Sequence, residues 1–103
     1  MIISKLEFLA RARIDQETLE VWIEEEWLVP SITAADLSFS EADLARAELI
    51  RDLKQELGIN DEGVGVILNL LDQVHGLRKA LAETLRDARE RSITPGSAER
   101  DSQ

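Results

Sequence analysis

The sequence predicts a mainly all-α protein, with a winged helix-turn-helix head, a small two-strand wing and a long C-terminal helix of coiled-coil type. Three observations predict it. Two short helical patterns, each behind its own N-cap signal, adjoin near Arg13. The stretch after Pro30 loses helical period and carries Ile32 and Phe39 in its place. A single heptad-like pattern then persists from about Asn60 to Arg91.

Each element has its own start and stop. "SKLE" is a capping box, with Ser4 at the N-cap and Glu7 at N3, ahead of Leu6, Phe8 and Leu9. The first helix ends near Arg11 or Ala12. Asp15 caps a second helix running through Glu26, with Leu19, Trp22 and Ile23 on its inner face. A tight connection between two such helices outlines a helix-turn-helix. Pro30 fixes φ and removes an amide donor, so the helix cannot pass it. In "SITAADLSF", Ile32 and Leu37 to Phe39 form the two short strands of the wing. Ser40 then caps a third helix with Asp43 at N3; Leu44, Ala47, Ile50 and Leu53 or Lys54 turn inward, and Gly58 is the αL stop after Leu57.

Asn60 or Asp61 caps the fourth helix, which at 1.5 Å per residue is roughly 45 Å long. With Val64 at a, the heptad places Val64, Leu71, Arg78 and Leu85 at a, and Ile67, Val74, Leu81 and Ala88 at d. Leu68, Leu70 and Leu77 widen the apolar face. A stripe this long needs a partner, and a second copy supplies one, so a homodimer is expected. Arg78 is the one charged seam position; it snorkels or fixes register. The expected organisation is a head over residues 1–58, a dimerising helix over 59–92 and a disordered tail over 93–103, where "TPGSAERDSQ" is small and polar.

Charge narrows the function. The chain has 21 acidic and 12 basic residues, a net charge of −9, and no cysteine. That excludes disulfide and thiolate chemistry and disfavours anionic surfaces. The first apolar run is too short for a signal peptide and no window spans a bilayer, so a cytoplasmic protein without membrane contact is expected. His75, the single histidine, has only Asp72 near it on its face, too few groups for a metal site. No second histidine or cysteine is present to activate Ser4, Ser38 or Ser40, and "GVG" at Gly63 to Gly65 lacks the rest of a dinucleotide fingerprint. Neither an enzyme nor a bound cofactor is expected.

The head is the acidic part. Residues 1–58 hold six bases and thirteen acids; residues 59–103 hold six and eight. Helix 2 occupies the position that lies against DNA in helix-turn-helix proteins, yet it offers Glu17, Glu20, Glu24, Glu25 and Glu26 and no base. DNA affinity draws heavily on Lys and Arg at phosphates, so these glutamates oppose it. An acidic surface for a basic partner helix, flanked by Trp22 and Trp27, is the functional alternative to a merely solvated face.

Together, "IDQETLEVWIEEEWLVP", "FSEADLARAELIRDLKQELGIN" and "EGVGVILNLLDQVHGLRKAL" resemble the chaperone modulator CbpM family, within the wider group of MerR-like winged-helix proteins. The likeness covers about residues 3–90 and is carried by overall pattern, not by a catalytic signature. MerR-like transcription factors usually carry bases in helix 2 and an Arg-Tyr wing. Here helix 2 is acidic, and "SITAADLSF" has neither Arg nor Tyr. The resemblance implies a cytoplasmic bacterial protein that binds the basic J-domain of a DnaJ-like co-chaperone, CbpA, and blocks its engagement of Hsp70. Glu20, Glu24, Glu25 and Glu26, with Glu17 and Trp27 beside them, are the expected contacts on charge grounds. The alternative is a DNA-binding regulator using Arg11, Arg13, Arg46 and Arg51.

Overall fold

Local signals place most of the chain. A computed structural model describes residues 2–92, and the expected tail at 93–103 lies outside the described residues. The element order is β1 (Ile3–Ser4), α1 (Lys5–Ala12), α2 (Gln16–Glu24), β2 (Ser31–Thr33), β3 (Asp36–Phe39), α3 (Glu41–Gln55) and α4 (Asp61–Ser92). The chain divides into two compact units, one of residues 1–66 and the other from residue 67 onward.

All four helix starts carry the cap residue their sequences predict, but at α1 only the Ser4 half of the expected capping box forms, the Glu7 carboxylate meeting Arg11 instead. The Ser4 hydroxyl accepts from Glu7 N–H, the Asp15 carboxylate from Thr18 N–H at 2.7 Å, and Asn60 Oδ1 from Gly63 N–H at 2.7 Å. Ser40 and Asp43 form a reciprocal capping box. Arg13 closes α1 in the left-handed region, φ 60°, and Gly58 follows α3 with φ 66°. Gly63 is needed where it stands: a Cβ there would lie 2.7 Å from Ile59 Cγ2.

Two expectations need correction. The wing is three-stranded, in the order β1-β3-β2, because Ile3 and Ser4 pair antiparallel with Phe39 and Ser38. A two-residue strand is too short to show a period of two, so the sequence pattern could not reveal it. Helix α2 stops at Glu24, two residues earlier than expected and well before Pro30.

The first unit holds the core. The apolar face of the sheet meets α1, where Phe8 and Phe39 stack with ring centroids 4.0 Å apart. Leu19 and Trp22 of α2, Leu44, Ala47, Ile50 and Leu53 of α3, and Val64 of α4 complete the core. Arg11 ties α1 to α3 through two 3.2 Å bonds to the Glu41 carboxylate, which hold its guanidinium pKa above the ordinary value.

The β2–β3 turn carries stored strain. Ala34 and Ala35 have φ 53° and 63°, the type I′ pattern that favours Asn-Gly. Replacing the pair by Ala34→Asn with Ala35→Gly should raise unfolding stability by about 1–2 kcal/mol. Chemical denaturation of the two proteins, with the m-value held equal, measures it.

Candidate docking surface

Helix α2 separates its burden cleanly. Leu19 and Trp22 are buried and Ile23 is half-buried, so Glu17, Glu20 and Glu24 fall on the outward face. Their spacing of three and four makes one continuous stripe, with Val21, 44% exposed, set among them. Glu25 and Glu26 are also exposed. Gln16 donates to the Glu20 carboxylate at 3.1 Å. Among the described residues, no Lys or Arg forms an ion pair with any of these five glutamates.

The end of α2 explains the two tryptophans. Glu26 N–H donates to Ile23 C=O at 3.0 Å and Trp27 N–H to Trp22 C=O at 2.9 Å, with Glu26 at φ 62°. That is a Schellman cap, and its usual apolar contact is present as the Trp22–Trp27 ring pair at 6.4 Å. Trp27 is 5% exposed, so it anchors the cap from beneath and does not flank the surface as expected. The Trp-x-x-x-x-Trp spacing is the signal that could have placed the helix end at Glu24.

The bases available for a nucleic-acid contact are mostly engaged within the protein. Arg11 holds Glu7 and Glu41, Arg46 donates to Trp27 C=O, and Arg51 donates to Ala12 C=O at 2.8 Å. Arg13 is exposed.

In α4, the expected seam residues fall into two groups. Val64 is fully buried in the core of the first unit, so it is not available to a partner helix. Ile67 and Leu71 are half-buried, whereas Val74, Arg78, Leu81 and Leu85 are exposed. The exposed stripe runs Leu70, Val74, Leu77, Leu81 and Leu85, which brings Leu70 and Leu77 onto it and leaves Arg78 at its margin. His75 is exposed, and no cluster of three metal-ligating side chains occurs among the described residues. No helix among them is long and apolar enough to cross a membrane.

A family model described as "MerR HTH family regulatory protein" matches residues 3–86. No curated protein and no solved structure matches the chain.

Glu26 is an acid in a glycine's conformation, so Glu26→Gly should stabilise the fold by roughly 1 kcal/mol in urea titrations. Trp27→Ala should cost about 3–5 kcal/mol by the same measurement. Asp15 supplies a pH-dependent cap. Hydrogen bonds from the Thr18 side chain, and next from Thr18 backbone N–H, lower its pKa. The stability it contributes is therefore present above the unfolded pKa of about 4 and lost as pH falls through the lower folded value. Asp15→Ala should destabilise at neutral pH, and the gap from wild type should close as the solution is acidified through that window.

Proposed function

Because the chain belongs to the family of MerR HTH regulatory proteins, we propose that it regulates by protein docking: it is a cytoplasmic chaperone modulator that binds the basic J-domain of a DnaJ/CbpA-like co-chaperone. The observation that carries this reading is the outward stripe Glu17, Glu20 and Glu24, continued by Glu25 and Glu26, with no base paired to it among the described residues. A basic helix laid along that stripe meets complementary charge at every turn, which speeds encounter and fixes register. Occupying the J-domain's basic helix would deny that surface to Hsp70.

The long helix serves assembly in this reading. Residues 1–58 are the docking head and residues 59–92 the element that pairs with a second copy. Ile67, Leu71, Val74, Leu81 and Leu85 contribute the seam, with Leu70 and Leu77 beside it and Arg78 at its edge. Several large apolar side chains in heptad-like spacing, each at least 40% exposed, support a helix partner.

The family's regulators make DNA binding the second reading. Against it, Arg11, Arg46 and Arg51 already bond within the head. Phosphates along α2 would also face five glutamates.

Calorimetric titration with a purified J-domain at low and moderate salt tests the proposal. The expected outcome is one J-domain per protomer, weakened by salt, with Glu24→Lys plus Glu25→Lys reducing affinity at least about tenfold. Absence of heat at micromolar concentration with folded protein, together with steeply salt-dependent DNA binding, would replace this reading by the second.

A further inference from the structure

We draw no further inference here: the strongest candidate, the cleft between the start of α2 and α3 lined by Arg13, Asp15, Trp22, Arg51 and Lys54, has its bases offset by Asp15, Asp52 and Asp61, and nothing in the structure shows what covers it.

Discussion

The Trp22–Trp27 cap is the contact on which the head depends. Trp22 C=O accepts from both Trp27 N–H and Leu28 N–H, and turns the chain sharply out of α2. Other elements are built onto it. Arg46 of α3 donates to Trp27 C=O, Lys54 of α3 lies over the Trp27 ring, and a Cβ on Gly65 would be 3.8 Å from Trp27 Nε1. Burial of each indole is worth roughly 4–6 kcal/mol before ordering entropy. The left-handed turn at Glu26 costs only about 1–2 kcal/mol. Packing therefore decides where the helix ends, and the backbone strain at Glu26 is carried by it.

That division has a consequence for partner choice. Leu19, Trp22 and the Phe8–Phe39 stack hold the shape of the helix-turn-helix, while Glu17, Glu20 and Glu24 lie on the exposed face. The sign of the exposed face can change without altering the packing beneath it. A scaffold whose family regulates through a helix-turn-helix can thus present acid where others present base, and the class of ligand follows the surface charge and not the fold.

Much of the fold was legible because capping is local. Ser4, Asp15, Ser40 and Asn60 each announce a helix within three residues, and Leu44, Ala47, Ile50 and Leu53 keep a clear helical period. The exposed glutamates were legible too, since five acids cannot be buried unpaired in one small helix. What escaped depended on distant contacts. The Ile3–Phe39 pairing joins residues far apart in sequence through a strand too short to show a period. Trp27 looked like a surface aromatic until its partner five residues earlier was placed, and Val64 matched a heptad although the core of the first unit had claimed it. The cleft lined by Arg13, Trp22 and Arg51 escaped for the same reason: these residues come together only once α1, α2 and α3 have packed.

In the proposed complex, charge alone would not hold a partner on the acidic face. Solvent-exposed ion pairs contribute about 0–1 kcal/mol each, and beyond roughly 8 Å they are largely screened at physiological salt. The five glutamates are exposed and are therefore better suited to selecting and orienting a partner than to holding it. Adhesion must come from apolar contact within the stripe, and Val21 is the large apolar side chain placed there. A basic helix suits this arrangement because Lys and Arg carry methylene stems that can lie over Val21 while their charged ends reach Glu17, Glu20 and Glu24. A phosphate backbone has no comparable apolar stem to offer. The same exposed valine that adds adhesion for a protein helix adds nothing for a polyanion, so the apolar and the electrostatic features of α2 favour the same class of partner.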